Sequence, residues 1–254
     1  MLAVLKRRDI ATRMISHFSN LMSEISRWLP APFDRLPAEW RRSRFRRSLK
    51  NRFLFSDQTH QHPRVFGIGL SRTGTTSLAH ALRHLDYGTV HWSRNGKVIG
   101  WPELLNADAA TDTPCSVQFE ALYHTFEDSK FVYTVRDVDQ WTNSMKEYFG
   151  IKKPSDFRDL PEDEVYWRSD RSWGWYNAVR RIQIHECLYA QHDSWADAYH
   201  AFDARVQHFF DNKPGNRFLE MNITDGEGWE VLCPFLEHES PDRSFPHCNR
   251  FDHT

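Results

Sequence analysis

The sequence predicts an α/β protein with three layers, in which helices cover both faces of a parallel β-sheet. The first observation is a strand-like run at 64–70 that passes through a glycine loop into a helix-periodic segment at 75–85. The second is that short β-branched and aromatic runs alternate with helix-periodic segments toward the C-terminus. The third is a break in charge near residue 64, which indicates that a helical extension over 1–63 precedes a domain over 64–254.

The predicted elements follow from local patterns in chain order. Strands are expected where apolar, β-branched or aromatic residues form short runs, at 64–70, 88–92, 108–113, 130–135 and 217–223. Helices are expected where apolar residues recur at steps of three and four, at 75–85, 117–126, 139–149, 162–211 and 228–237. Strands that alternate with helices in this way favour a parallel sheet that is buried on both faces.

The N-terminal extension differs from the rest of the chain in charge and in pattern. Residues 1–64 hold 14 Lys and Arg against 5 Asp and Glu, a balance of +9, so the remaining residues carry −10. Apolar residues at helical spacing over 10–29 precede a basic segment, 41–52, in which seven of twelve residues are Arg or Lys. We expect a helix that packs on the main domain. The alternative is peripheral contact of residues 1–52 with an anionic membrane surface.

The composition is that of an ordinary globular protein, with 40 % hydrophobic and 26 % charged residues. No apolar run reaches the roughly 18 residues that span a bilayer, and the first residues lack the apolar region of a signal peptide. The four cysteines form no CxxC pair, which argues against a zinc site or a disulfide framework. We therefore expect a cytoplasmic protein. Nucleic acid is not an expected partner, because the main domain is acidic and holds no recognition motif.

The glycine loop "GLSRTGTTS" at 69–77 is close to a nucleotide-binding loop but lacks its lysine. Gly69 and Gly74 have the spacing of the outer glycines in GxxxxGK[ST], and Thr75 stands where that motif has Lys. A loop between a strand and a helix favours an anion, because backbone N–H groups and the helix dipole point at one spot. ATP cleavage is not expected, since the lysine and an obvious magnesium-binding Asp are both missing.

Transfer of a sulfuryl group is a reaction that such a loop could support. The transferred group carries a single negative charge, so no metal is required to neutralise it. Negative charge develops instead on the oxygen that bridges sulfur and the departing phosphate. Arg72 is the cation inside the loop, and it is the candidate group for stabilising that oxygen.

The segment "LSRTGTTSL" at 70–78 resembles the 5′-phosphosulfate loop of sulfotransferases that use 3′-phosphoadenosine 5′-phosphosulfate (PAPS), in the branch with an SRTGTT loop. The resemblance extends over 64–250 and implies the P-loop sulfotransferase fold, PAPS as co-substrate and no metal. It implies that the 5′-phosphosulfate is bound by Ser71, Arg72, Thr73, Gly74, Thr75 and Thr76.

A second motif supports the same resemblance. In the family, an Arg at the end of a strand and a Ser eight residues later grip the 3′-phosphate of PAPS. The segment "FVYTVRDVDQWTNS" places Arg136 and Ser144 at that spacing. Arg offers a planar, permanently charged fork to a phosphate. The alternatives are a surface salt bridge between Arg136 and Asp137 or Asp139, and a helix serine without a ligand.

The proton acceptor implied by the resemblance is Asp112. The segment "ATDTP" at 110–114 places this carboxylate where many cytosolic sulfotransferases have a histidine. A free Asp is a weak base at neutral pH, but burial would raise its pKa. The alternative is that Asp112 caps a turn or helix before Pro114. His91, near another strand end, is the second candidate for the base.

Together these features predict transfer of a sulfuryl group from PAPS to a hydroxyl or amine by in-line displacement, releasing adenosine 3′,5′-bisphosphate. The acceptor is expected to be a small molecule, or a lipid or sugar. The aromatic segment 162–211 should roof its site, with candidate contacts from Trp173, Trp175, Tyr176 and Trp195. Two alternatives remain open, a P-loop kinase for a small metabolite and a non-catalytic membrane-associated protein with a degenerate loop.

Overall fold

A computed structural model of the chain describes residues 63–159 and 174–248. Its strands form one seven-stranded sheet in the order β4-β3-β2-β5-β1-β6-β7. They are β1 Val65–Gly67, β2 Thr89–His91, β3 Ser93–Arg94, β4 Lys97–Val98, β5 Ala109–Thr111, β6 Lys130–Thr134 and β7 Phe218–Met221. Five strands, β2, β5, β1, β6 and β7, pair in parallel, and β3 and β4 add an antiparallel edge.

Helices lie between the strands in chain order. They are α1 Thr75–His84, α2 Trp101–Leu104, α3 Thr113–Ser116, α4 Phe119–Thr125, α5 Val138–Phe149, α6 Gly174–His185, α7 Trp195–Phe210 and α8 Trp229–Leu236. A π-helical turn, Glu186–Ala190, continues α6 directly. Among the helices that the structure describes, none combines the length and the hydropathy of a membrane-spanning segment.

Two hydrophobic clusters show that the parallel sheet is covered on both faces. Successive strand residues point to opposite sides, so Phe66 and Phe131 join one cluster while their neighbours Val65 and Val132 join the other. Side chains of α4 and α7 complete the first cluster, and those of α1 and α8 complete the second. The predicted α/β fold is confirmed, as a layer of helices on each side of five parallel strands.

The described structure refines the sequence-based prediction of a long helical stretch over 162–211. From residue 174 this segment is largely helical, but it is divided, because α6 and its π-helical turn end at Ala190 and α7 begins at Trp195. Ser194 starts α7 as its N-cap, where its hydroxyl accepts a hydrogen bond from the Asp197 N–H at 3.1 Å. Trp195 is 1 % exposed in the core and therefore cannot contact an acceptor. Trp173 and the side chain of Trp175 lie outside the described residues.

The β3–β4 hairpin was missed by the sequence analysis. Its turn is Asn95–Gly96, with φ of 52° and 75°, the left-handed pair that a two-residue hairpin favours. The Asn-Gly dipeptide was the signal that could have predicted it. Residues 1–62 lie outside the described part of the chain. The N-terminal helix, the basic segment and the domain boundary between residues 63 and 64 therefore stay predictions.

Candidate active site

A single edge of the sheet gathers the predicted site residues. Because the parallel strands run in one direction, their carboxyl ends meet at one edge, where open α/β sheets bind ligands. The glycine loop follows β1, His91 ends β2, Asp112 follows β5 and Arg136 lies beyond β6. These segments line one cavity of about 1140 Å³. Of the predicted residues, those on its wall are Ser71, Arg72, Gly74, Thr75, Thr76, His91, Asp112, Arg136 and Ser144.

The glycine loop has the backbone geometry of an anion site. Gly74 precedes α1 with φ +100°, and no side chain caps this helix end. The first N–H groups of α1 therefore have no partner within the helix, and the residues that carry them line the cavity. Gly69 is fixed by packing, since a Cβ there would lie 1.8 Å from Thr134 Oγ1. Thr73 is buried, and its hydroxyl contacts Leu70 O at 2.8 Å, so this side chain points away from the cavity.

The backbone of Ser71 is held by two aromatic side chains that the sequence analysis missed. The Ser71 N–H donates to Tyr189 Oη at 3.1 Å, and Trp141 Nε1 donates to Ser71 O at 2.8 Å. Tyr189 lies in the π-helical turn, a local geometry that is frequent at functional sites. Both aromatic rings are buried, and burial raises the pKa of Tyr189. The Ser71 amide is thus already paired within the protein, and a bound phosphate must rely on other donors.

Tyr189→Phe is expected to lower the free energy of unfolding by about 1–2 kcal/mol, because the Ser71 N–H loses its partner. It should also weaken nucleotide binding several-fold, since the loop would lose one of its two supports. Urea denaturation and calorimetric titration measure the two effects. Tyr123→Phe is the matched control, because the buried Tyr123 ring packs on Phe131 and its hydroxyl makes no hydrogen bond within the described residues. Equal losses in both variants would contradict the assigned support.

Two arginines from separate motifs meet in the cavity. Arg72, in the left-handed conformation with φ +69°, donates from Nε to Ser144 Oγ at 3.0 Å. Its guanidinium lies 5.2 Å from the centre of the Tyr148 ring. Arg136 donates from one terminal nitrogen to Arg72 O at 3.2 Å. The glycine loop and the Arg136–Ser144 motif are therefore directly bonded to each other.

Arg136 retains hydrogen-bonding capacity for a ligand. Its Nε is buried and has no partner within the described residues. Its backbone is fixed at both ends by Tyr199, whose hydroxyl accepts from the Arg136 N–H at 3.1 Å and donates to Arg136 O at 2.8 Å. Burial and then the charge of Arg72 lower the pKa of Arg136. No ion pair joins Arg136 to Asp137 or Asp139 in the described structure, and Asp137 instead caps α5 through the Gln140 N–H.

Asp112 both caps a helix and faces the cavity, so the two alternatives from the sequence are compatible. Its Oδ1 accepts from the Thr113 N–H at 2.7 Å, at the start of α3. Its Oδ2 lies 3.4 Å from His91 Nε2. Burial raises the pKa of Asp112, and burial lowers the pKa of His91, with each charge opposing the shift of the other. The two candidate bases are thus in direct contact.

The cavity is also lined by residues that no sequence pattern singled out. Phe149 of α5, Arg181 and His185 of α6 and Trp92 after β2 line it. The Arg181 guanidinium lies 5.5 Å from the centre of the Trp92 ring. His185 stacks on Phe157 with 4.1 Å between ring centres, and burial followed by the charge of Arg181 lowers the pKa of His185 to about 4. This part of the lining is therefore aromatic, with the guanidinium of Arg181 beside it.

Metal ligands are not clustered in the described part of the chain. No group of three or more His, Cys, Asp or Glu side chains with metal-binding geometry occurs there. The charged side chains that line the cavity in the described structure include three arginines, Arg72, Arg136 and Arg181, and the carboxylates of Asp112 and Glu147. The arrangement is suited to binding an anion near a hydrogen-bonding base.

Comparison with known proteins agrees with this geometry. A family model described as "Sulfotransferase domain" matches residues 64–106 and 100–254. A curated protein from Aspergillus versicolor, named "Ava biosynthesis cluster protein M", is 24 % identical over 218 residues, which cover 72 % of this chain and 80 % of the relative. The matched residues include the glycine loop, Asp112, Arg136 and Ser144. The chain therefore belongs to the sulfotransferase domain family.

Proposed function

We propose that the protein transfers a sulfuryl group from PAPS to a hydroxyl or amine of an acceptor and releases adenosine 3′,5′-bisphosphate. The observation that carries the proposal is that two arginines from separate motifs, Arg72 and Arg136, line one cavity together with the glycine loop. Arg72 lies in the glycine loop, and both Ser144 and Arg136 are hydrogen-bonded to Arg72, through its Nε and its carbonyl oxygen. We assign the glycine loop with Arg72 to one anionic group of the donor and Arg136 with Ser144 to the other. A nucleotide with anionic groups at both its 5′ and 3′ positions has a charge pattern that fits both sites.

The donor fits the hydrogen-bonding capacity of these residues. The N–H groups at the start of α1 lack a side-chain cap, and an anionic 5′-group would pair with them. The buried Nε of Arg136 lacks a partner within the described residues, and a 3′-phosphate would supply one. We therefore assign Thr75 and Thr76, with Arg72 and Gly74, to the 5′-phosphosulfate, and Arg136 and Ser144 to the 3′-phosphate.

The proposed mechanism uses Arg72 and Asp112 in different roles. In an in-line displacement, negative charge accumulates on the bridging oxygen of the donor as the sulfur–oxygen bond breaks. The Arg72 guanidinium stabilises that oxygen. The Asp112 carboxylate accepts the proton of the attacking hydroxyl, and burial strengthens this carboxylate as a base by raising its pKa. No step needs a metal ion to neutralise the transferred group.

The acceptor is proposed to be a small molecule, or a lipid or sugar, with an apolar or aromatic part. Trp92, Tyr148, Phe149 and His185 line the cavity wall and offer flat apolar surface to such a part. The four cysteines are all free thiols, which fits a reducing cytoplasmic setting. A membrane contact through residues 1–52 stays a proposal with its own experiment, vesicle binding of the full chain.

The experiment that tests the function is a screen of the purified protein with ³⁵S-labelled PAPS against pools of phenols, sugars, steroids and lipids. Labelled product with release of adenosine 3′,5′-bisphosphate is expected for at least one pool. Transfer of label from γ-³²P-ATP with magnesium, and none from PAPS, would instead show a kinase. Tight nucleotide binding without transfer to any pool would favour the non-catalytic alternative.

Binding of adenosine 3′,5′-bisphosphate is expected in the micromolar range, about −8 kcal/mol, and without a requirement for magnesium. The reason is that Thr75 replaces the loop lysine and that arginines supply the positive charge. Calorimetric titrations in the presence of magnesium and in the presence of a chelator should give equal Kd values within error. Loss of nucleotide binding in the presence of the chelator would contradict the metal-free mechanism.

A further inference from the structure

His91 lies between the proposed base, Asp112, and the start of α1, which is proposed to hold the donor. It is the last residue of β2, and the parallel register pairs it with Thr111 of β5, the residue before Asp112. The contact between His91 Nδ1 and Thr111 Oγ1 is 2.7 Å. Thr111 is fully buried. This bond fixes the plane of the imidazole and leaves Nε2 to face the cavity side.

The other nitrogen of His91 faces two residues of the proposed machinery. His91 Nε2 lies 3.4 Å from Asp112 Oδ2 and 3.2 Å from Thr76 Oγ1. Thr76 belongs to the first turn of α1, beside the glycine loop. The imidazole is thus placed between the carboxylate proposed as base and the helix start proposed to hold the donor.

The Asp112 carboxylate has one oxygen available, and it is the oxygen that faces His91. Oδ1 is occupied by the Thr113 N–H. The backbone of Asp112 has φ 85° and ψ 177°, a region that is costly for any residue with a side chain. Such strain persists only where the surroundings enforce it, and it is concentrated at functional sites. The hydrogen bond from the Thr113 N–H to Oδ1 restrains rotation of the carboxylate, so Oδ2 stays on the side of His91 Nε2.

We propose that His91 and Asp112 act as one proton-accepting pair, in which His91 is a positioning residue that orients Oδ2 and shares the proton this oxygen receives. The inference rests on the proposed sulfuryl transfer and adds a second member to its base. His91 is therefore not an alternative to Asp112, as the sequence suggested, but its partner.

The step balances without any further reactant. The acceptor oxygen forms a bond to sulfur, and the bond between sulfur and the bridging oxygen breaks with its electron pair left on the departing phosphate. The acceptor proton moves to Asp112 Oδ2. The pair then holds this proton between Asp112 Oδ2 and His91 Nε2, where the carboxylate stabilises the imidazolium, and keeps it away from the departing phosphate until solvent removes it.

The charged surroundings make the coupling of the pair measurable. Burial lowers the pKa of His91, and Arg83 and His80 on α1 lower it further, whereas the charge of Asp112 raises it. Burial raises the pKa of Asp112, whereas His91 and the hydrogen bonds from Thr113 lower it. Each group therefore stabilises the charged form of the other. Removal of Asp112 should lower the pKa of His91, and removal of His91 should raise the pKa of Asp112.

A nuclear magnetic resonance titration tests the pair without any acceptor or turnover. The imidazole signals of His91, assigned by comparison with His91→Gln, are followed against pH in the wild-type chain and in Asp112→Asn. The pKa of His91 is expected to fall by about one unit or more in Asp112→Asn. Asp108→Asn, which neutralises a carboxylate before the other end of β5, should leave the His91 titration unchanged. An unchanged His91 pKa in Asp112→Asn would overturn the pair, whatever reaction the protein catalyses.

Kinetics then separate positioning from a purely structural role. Loss of His91 raises the pKa of Asp112, so the carboxylate is lost at a higher pH as the solution is acidified. His91→Ala is therefore expected to move the acid limb of kcat/KM to higher pH by about one unit and to lower kcat roughly tenfold at neutral pH. His91→Gln, whose amide can still form a hydrogen bond with Asp112 Oδ2 and orient it, should restore most of the loss. His124→Gln, an exposed histidine on α4, should change neither quantity.

Two results would contradict the role of His91 in turnover. One is a His91→Ala enzyme with normal kcat and an unmoved acid limb. The other is a uniform loss of kcat at every pH with no recovery in His91→Gln, which would indicate a structural residue. If both His91 variants fail to fold, Thr111→Val provides the decisive measurement. It removes the 2.7 Å partner of Nδ1 at nearly constant volume, and it must produce a smaller shift of the acid limb in the same direction.

Discussion

Asp112→Asn is expected to lower kcat by roughly 10²–10⁴ while the affinity for adenosine 3′,5′-bisphosphate stays nearly unchanged. The amide keeps the size of the side chain and an oxygen that can accept the 2.7 Å hydrogen bond from the Thr113 N–H, so α3 should still be capped. The amide cannot accept the proton of the acceptor. Steady-state kinetics with an acceptor from the screen, together with calorimetric titration of the nucleotide, measure the two quantities.

Asp108→Asn is the matched control for this prediction. Asp108 precedes β5 at the end away from the cavity, and its Oδ2 accepts a hydrogen bond from the Gly88 N–H at 2.9 Å. Its neutralisation should therefore leave kcat within a few-fold of the wild-type value. If the nucleotide affinity of Asp112→Asn falls together with kcat, Asp112 serves to hold the loop or the fold. A nearly normal kcat would place the base elsewhere in the cavity.

The parts of the site that could be predicted from the sequence are those encoded in short segments. The glycine loop, Asp112 and the Arg136–Ser144 spacing each lie within about fifteen residues of chain, where local pattern and helix or strand propensity suffice. The five parallel strands were predicted for the same reason, because each lies in a short segment with its own local pattern, such as the apolar run of β6. Their meeting at one edge then follows from the parallel direction alone.

The contacts that complete the site could not be predicted, because they join distant parts of the chain. Tyr189 contacts Ser71 across 118 positions, and Trp141 contacts it across 70. Both residues have the pattern of ordinary core aromatics, so nothing local distinguishes them. The same holds for Arg181 and His185, which are four residues apart on α6 and become cavity residues only through the packing of that helix.

The hydrogen bonds around Arg72 have a consequence for donor binding. Arg136 bonds to the carbonyl of Arg72, and Ser144 bonds to its Nε. The residues assigned to the 3′-phosphate therefore also fix the residue assigned to the bridging oxygen. A substitution of Arg136 or Ser144 should therefore also disturb Arg72. The loss of 3′-phosphate binding has to be separated from the loss of nucleotide binding that a displaced Arg72 would cause.

Arg136→Ala is expected to weaken PAPS binding by roughly 10²-fold or more, since a hydrogen bond to a charged group contributes about 1.5–3 kcal/mol and an Arg can make two of them to one phosphate. Adenosine 5′-phosphosulfate lacks the 3′-phosphate, so its binding should weaken only several-fold. That smaller loss reflects the missing 3.2 Å hydrogen bond to Arg72 O. Calorimetric titration of both nucleotides with each variant gives the two ratios.

Arg136→Lys is the control that separates charge from geometry. It keeps the positive charge but lacks the planar fork and the Nε that is buried without a partner within the described residues. We expect it to recover part of the PAPS affinity and to bind adenosine 5′-phosphosulfate almost as the wild type does. Equal losses for the two nucleotides in Arg136→Ala would show that Arg136 acts only through Arg72 and does not contact the 3′-phosphate. In that case the donor would have no assigned 3′ site, and the proposal of PAPS over a nucleotide without a 3′-phosphate would lose its structural support.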